Sequence, residues 1–366
     1  MRAAVCVLVA AIGLAAHPAF AQAEPTAAAF WKAVQARCDA TAAKPASELG
    51  RRIAQTAIDE FTRFGGHRID SNGRLFHFGL VEAEHAAEHA GHRPTRVGEL
   101  GWWRVMKYWH ALYGDDIGDK LEVRGYRDAS NARDETQAAA LLPVDVGDLL
   151  RVAESVADPD AREVLREAIL RAAIIDTPWS AAFISYVIKQ AGATADAFQF
   201  SNAHRAYIYD AFATSAAELT ATADARAYRA CPVDTTKPRA GDLICFQRER
   251  TLADASDNAV RERIRAELAG GPDKRSVRNT HCDVVASVDV PARKMYVIGG
   301  NFLDGVAAKR LNLRRSLKFS ATQKGHCGGP GAWTLPPPSA DTPQEPHLAE
   351  TCSLSDKKWF VLLQLR

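Results

Sequence analysis

The sequence predicts an α+β fold in which a helical N-terminal portion precedes a central helix packed on a small antiparallel sheet. Three observations carry this expectation. Between Ser47 and Phe64, the residues Leu49, Ile53, Ala57, Ile58, Phe61 and Phe64 recur at helical spacing and form one apolar stripe. Between Asp176 and Gly192 lies a helix with both ends marked: Thr177 or Asp176 as cap, Pro178 at the first helical position, Gly192 as stop. From Pro238 onward the chain changes to short apolar runs separated by turns, which is the pattern of strands. A chain of 366 residues with 47% hydrophobic and 25% charged content can bury a sizeable core, as one large or two smaller domains.

Arg2, the apolar run Ala3 to Ala16 and the small-x-small triplet Ala19-Phe20-Ala21 predict a secretory signal at residues 1–21, hence a periplasmic or secreted protein. The run is too short to span a bilayer, and no later stretch reaches ~18 uninterrupted apolar residues, so no integral membrane segment is expected after signal removal. Beyond the signal stand Cys38, Cys231, Cys245, Cys282, Cys327 and Cys352, an even set that permits disulfides in an exported chain. Their spacing does not give the pairing; Cys245 with Cys282 could join adjacent strands, and Cys327 with Cys352 could tie down the tail. The absence of a C-x-x-C pair speaks against a zinc ribbon. A formal net charge of +2 does not mark a nucleic-acid binder.

Helices are expected near 27–43 and 47–64, the second capped by Ser47 and stopped at Gly65-Gly66. Residues His85-Ala86-Ala87-Glu88-His89 match H-x-x-E-H, a metal-protease pattern, but the match is short and lacks a clear third ligand. A solvated polar face is the preferred reading, and no metal or organic cofactor is expected. The aromatic run from Gly98 to Tyr113, with Trp102, Trp103, Tyr108 and Trp109, reads as core rather than as a sugar-stacking platform. Asp158-Pro159 opens a helix to Ile174, expected to turn Val164, Leu165, Ala168, Ile169 and Ala172 inward. In the central helix, Trp179, Phe183, Val187 and Ala191 share the buried face, while Ser180 sits in the first turn. There, free N–H groups and the positive end of the helix dipole favour a developing anion.

His204 falls on the first turn after a Ser201-Asn202 cap and reads as structural or as part of a cleft rim. Strands follow at 243–246, 281–288 and 294–301; residues 248–279 form a charged insertion with a helix near 258–268; Leu335 to Pro346 is a Pro-rich linker; and 358–365 can add a final strand. The expected organisation is thus a signal at 1–21, a helical portion at 22–157, a core at 158–320 and a tail with a final strand at 321–366.

Helix first, then antiparallel strands with a histidine opening one of them, is the chain order of papain-like hydrolases. Trp179-Ser180-Ala181-Ala182-Phe183 resembles the W-C-x-x-F of the CHAP and NlpC/P60 cell-wall amidases and endopeptidases, with serine in place of the nucleophilic cysteine. Ser201-Asn202-Ala203 resembles their G-N-A segment, Pro238 to Phe246 their P-x-x-G-D-L/I strand, and His281 to Val285 their H-V-A-x-V. The span from roughly Ser47 to Leu311 also resembles the DUF2272 family, through Glu60-Phe61, Trp103-Arg104-Val105, Tyr108-Trp109, Pro178 to Ser185 and Ala203-His204 with Tyr207-Ile208.

The resemblance implies a papain-like core and an exported hydrolase acting on peptidoglycan peptides. Ser180 would be the nucleophile, His281 the general base and then acid, and Asn301 the residue that orients the ring. Gly299 stands where CHAP domains often carry an acidic residue. Asp283, two residues along the strand from His281 and on the same face, is a lesser orienting candidate and, with Trp179 and His204, a candidate ligand contact. The alternative is a catalytically inactive papain-like module that binds cell wall or a protein partner.

Overall fold

The first two helices form where the sequence caps them. In this computed structural model, which describes residues 26–69, 75–77, 79–83, 100–126, 141–220, 225–248, 256–323 and 357–366, α1 (Ala27–Ala42) begins where Thr26 Oγ1 accepts the Ala29 N–H. Helix α2 (Glu48–Arg63) begins where Ser47 Oγ accepts the Gly50 N–H. It buries Ile53, Ala57 and Phe61, and Phe64 just past its end, as its stripe requires. A short pair, β1 (Arg68–Ile69) and β2 (Leu75–His77), follows. Helix α3 (Gly101–Tyr113) buries Trp102, Val105, Met106, Tyr108 and Trp109, so most of the aromatic run is core, whereas Trp103 is exposed on the outer face of the helix. The hairpin strands β3 (Glu122–Tyr126) and β4 (Leu141–Asp145) then lead into α4 (Val146–Glu154).

Helix α5 (Pro159–Asp176) differs from its predicted packing. Val164 is 70% exposed and Leu165 37%, whereas Ala173 and Ile174 are fully buried. Only the last turns of α5 reach the core, so an apolar stripe by itself did not decide which residues pack. The central helix α6 spans Ser180–Gln190, and its face of Trp179, Phe183, Val187 and Ala191 is buried together with Ile184 and Ile188. Each large apolar side chain buried this way contributes roughly 1.5–3 kcal/mol. Gly192 stops the helix at φ 97°, a conformation costly for residues with a Cβ.

The predicted caps of α6 serve another purpose. Thr177 Oγ1 accepts the Glu122 N–H at 3.0 Å, and Asp176 Oδ2 accepts the Arg124 N–H at 2.8 Å. Both tie the α5–α6 junction to β3, and α6 starts at Trp179 with no side-chain cap.

After α7 (His204–Thr220) the chain enters β5 (Tyr228–Pro232) and β6 (Leu243–Gln247), crosses α8 (Asp257–Glu267), and continues through β7 (Thr280–Asp289), β8 (Lys294–Phe302), β9 (Gly305–Asn312) and β10 (Lys358–Leu365). These six strands form one antiparallel sheet in the order β5-β10-β6-β7-β8-β9. The tail strand is therefore internal, clamped between β5 and β6. Helix α8 of the insertion packs Val260 and Ile264 into the core, and Arg261 donates to the Phe360 carbonyl at 2.8 Å, so this part of the insertion covers the sheet.

Strand alternation sends side chains into two cores. Leu243, Cys245, Cys282, Val284 and Ile298 join the helices α2, α3, α6 and α7, whereas Ile244, Phe246, Val285 and Val297 face α1 and the second cluster. The helices of the N-terminal portion thus share one core with the sheet. Two disulfides brace it: Cys245–Cys282 between directly opposed residues of β6 and β7, as the strand reading suggested, and Cys38–Cys231 between α1 and β5. Two disulfides fit an exported protein, and no described helix is long and apolar enough to cross a membrane. The signal segment, the His85–His89 pattern, the Cys327–Cys352 pairing and the Pro-rich linker lie outside the described residues.

Candidate functional site

The start of α6 and the start of β7 meet as the chain order requires, but the side chains pair differently from the expectation. Ser180 Oγ lies 2.7 Å from Nε2 of His204, the first residue of α7. His281 instead bonds Asp283 Oδ1 through Nε2 at 2.9 Å. The two imidazoles touch, with ring centroids 4.8 Å apart. Strand period explains the exchange. Cys282 and Val284 point toward α6, so His281, Asp283 and Val285 belong to the opposite side of β7. His204, carried by a neighbouring helix, fills the place at Ser180.

Local chain chemistry sets His204 there. Ser185 Oγ, one turn along α6, accepts the Ser201 N–H at 3.0 Å and donates to the Ser201 carbonyl at 2.8 Å. Ser201 Oγ in turn accepts the Ala203 N–H at 3.1 Å. The linker before α7 is thereby pinned to the same helix that bears Ser180.

The hydrogen bonds also fix the tautomers. The backbone N–H of Cys282 donates to His204 Nδ1 at 3.2 Å, and the Tyr207 hydroxyl lies against the same nitrogen. An amide N–H only donates, so Nδ1 carries no proton in this arrangement. The proton of the neutral ring is on Nε2, and His204 donates to Ser180 Oγ. Burial, then the neighbouring His281, Arg248 and Lys309, hold the His204 pKa well below the usual imidazole range.

His281 is fixed by the same logic. The Arg248 guanidinium donates to its Nδ1 at 2.5 Å, leaving the ring proton on Nε2 for Asp283. Burial lowers the His281 pKa to about 4 despite the adjoining carboxylate. Burial alone would raise Asp283, but Lys309, whose Nζ donates to Asp283 Oδ2 at 2.8 Å, and His281 hold it well below the usual carboxylate range. Ser180, His204, His281, Asp283 and Lys309 are all buried.

Gly299 and Asn301 find different uses. A Cβ on Gly299 would stand 1.9 Å from Asp283 Oδ1, so the missing side chain on β8 is the space that the β7 carboxylate fills. Asp283, not Asn301, is the residue bonded to the His281 ring. Asn301 lies in a register shift between Gly300 and Phe302 with φ 53°, a turn-like position that Asn tolerates. Trp179 is fully buried, and its indole N–H donates to Glu82, whose carboxyl burial pushes up to about 8. It presents no face to a ligand. A cavity of about 470 Å³ does open at the mouth of α6, lined among others by Lys120, Glu122, Asp145, Thr177, Pro178 and Asn202. Ser180 and His204 are not among its lining residues. Among the described residues, no group of three or more His, Cys, Asp or Glu is placed to hold a metal ion.

The resemblance residues outside this site form a second buried cluster. Glu60 takes Arg104 Nη2 at 2.6 and 2.8 Å, Arg63 Nη1 at 2.8 Å and the Tyr108 hydroxyl at 2.6 Å. In the G-D strand motif, a Cβ on Gly241 would lie 2.4 Å from Gly50 Cα, and Asp242 accepts the Leu365 and Arg239 N–H groups at 2.9 and 2.8 Å. Those positions hold α2 and the tail strand to the sheet.

A mixed α+β protein with a helix-borne serine against a buried imidazole is the class that the fold and site define. The chain belongs to the DUF2272 family, described as an uncharacterized protein conserved in bacteria, whose model matches residues 97–365. The match omits Ser47 to Phe64 and includes the final strand, in keeping with the place of β10 inside the sheet. No curated protein and no solved structure matches the chain.

Proposed function

We propose that this is an exported papain-like module that binds cell-wall peptides without cleaving them. One observation carries the reading: the Cys282 N–H occupies Nδ1 of His204, so the imidazole donates to Ser180 rather than accepting its proton. A general base must present a bare nitrogen to the nucleophile and stabilise the imidazolium that forms. His204 does neither, because among the described residues no carboxylate bonds its ring and its surroundings disfavour the charge. The cavity beside Thr177, Pro178 and Asn202 supplies a polar recess for a peptide at the same end of the helix.

A second reading, a serine amidase or endopeptidase, is favoured by the 2.7 Å contact between Ser180 Oγ and an imidazole nitrogen at a helix N-terminus. It requires the other His204 tautomer and a release of the Cys282 contact. Incubating purified peptidoglycan with wild type, Ser180→Ala, His204→Ala and Ser180→Cys separates the two. Under the binding reading, wild type cosediments with the wall and releases no fragments, and Ser180→Ala binds as well. Fragment release by wild type that Ser180→Ala and His204→Ala abolish establishes the hydrolase. Release by Ser180→Cys alone shows a retired catalytic geometry, since a thiol ionises far more readily than a hydroxyl.

A further inference from the structure

We propose that Arg248 anchors a carboxylate of the bound ligand at the outer side of His281; the choice of a peptide as its bearer rests on the binding reading above. Arg248 follows the last residue of β6, with its backbone N–H on the Asn279 carbonyl at 2.7 Å, and it is exposed to solvent. Among the described residues its guanidinium makes one side-chain bond, to the neutral Nδ1 of His281. The buried arginines elsewhere meet carboxylates: Arg104 bonds Glu60 at 2.6 Å, and Arg229 bonds Glu218 at 2.8 Å. Arg248 has no such partner among the described residues.

The carboxylate closest to hand is already occupied. Asp283 gives one oxygen to His281 and the other to Lys309. Lys357 adds a third cation nearby, its Nζ 5.6 Å from the centre of the Phe246 ring, which itself packs 5.1 Å from His281. Arg248 and Lys309 both act on this one buried carboxylate, Asp283. An exposed guanidinium with one neutral acceptor keeps a planar fork of N–H donors, the geometry that grips a carboxylate in two places. Partial desolvation against His281, which lowers the Arg248 pKa, strengthens its pull on an incoming anion.

The test uses the full chain and two probes, N-acetyl-D-alanine and its amide, which differ only in the anionic group. Nitrogen NMR signals of the Arg248 guanidinium and the His281 ring are followed during titration. The acid is expected to shift both signals saturably, and the amide to bind roughly tenfold more weakly or worse. Arg248→Gln is expected to abolish the response of the His281 ring to the acid, with Arg248→Lys intermediate because it keeps the charge without the fork. Equal binding of acid and amide, an undiminished response in Arg248→Gln, displacement of the acid by equimolar chloride, or no saturable shift overturns the proposal. Cosedimentation with purified peptidoglycan is measured in parallel. Wall binding without an acid response removes the anchor alone, and an acid response without wall binding removes the cell-wall reading alone.

Discussion

Two buried polar clusters flank the central helix, and they are closed in different ways. At Glu60, one carboxylate is met by two arginines and a phenol, and it joins α2 to α3. At Ser180, two neutral imidazoles separate a hydroxyl from an ion pair, and a cation on the outer side faces solvent. The first cluster is a clamp within the core. The second holds cations in excess of carboxylates and is bounded by the exposed Arg248. Burial alone therefore does not distinguish a structural network from a candidate site; the balance of charges and the side left open do.

The sharpest way to break the comparison is at Glu60. Glu60→Ala leaves Arg104 buried without its partner and is expected to cost about 3–5 kcal/mol in denaturant unfolding. Wall binding per folded molecule should not change. If stability holds, the clamp account fails.

Asp283→Asn keeps shape but removes the charge beside buried Lys309, and is expected to cost roughly 3 kcal/mol. Unlike the change at Glu60, it should also alter the His281 ring signals, because the acceptor of its N–H changes. An effect on stability without that spectral change would place His281 elsewhere.

A pH series sharpens the contrast further. The folded His281 pKa of about 4 lies below its unfolded value, so the unfolded chain binds the proton first. Its neutral form contributes stability that is fully present above about 6.5 and is lost as pH falls toward 4. Wild type should lose about 3 kcal/mol relative to His281→Asn across that window, read from unfolding curves at stepped pH. Parallel curves for the two proteins would exclude a buried neutral His281.

The smallest effect is expected at Ser180. Ser180→Ala removes one acceptor from the His204 N–H and should cost about 1 kcal/mol, measured by the same unfolding assay.

Much of this architecture is legible in the chain itself. The Ser47 cap, the Phe61 and Phe64 stripe, the four-residue recurrence from Trp179 to Ala191 and the strand from His281 are local patterns, and local backbone preference shaped them. Asp283 could be placed on the face of His281 because strand side chains repeat every two residues. The packing of α5 could not, since its stripe does not say how far the neighbouring elements extend along it. Nor could β9, nor the position of β10 between β5 and β6, because strand order depends on pairing between segments distant in the chain.

Residue types and their spacing were enough to determine a helix carrying Ser180 and stopped at Gly192, a strand carrying His281, and an α+β arrangement of the two. Only the folded chain decided that Ser180 meets His204, that Asp283 fills the space left by Gly299, and that Cys282 sets the tautomer. The reason is physical: a motif specifies which groups are present, whereas the path of a proton depends on distances between elements that no local pattern contains.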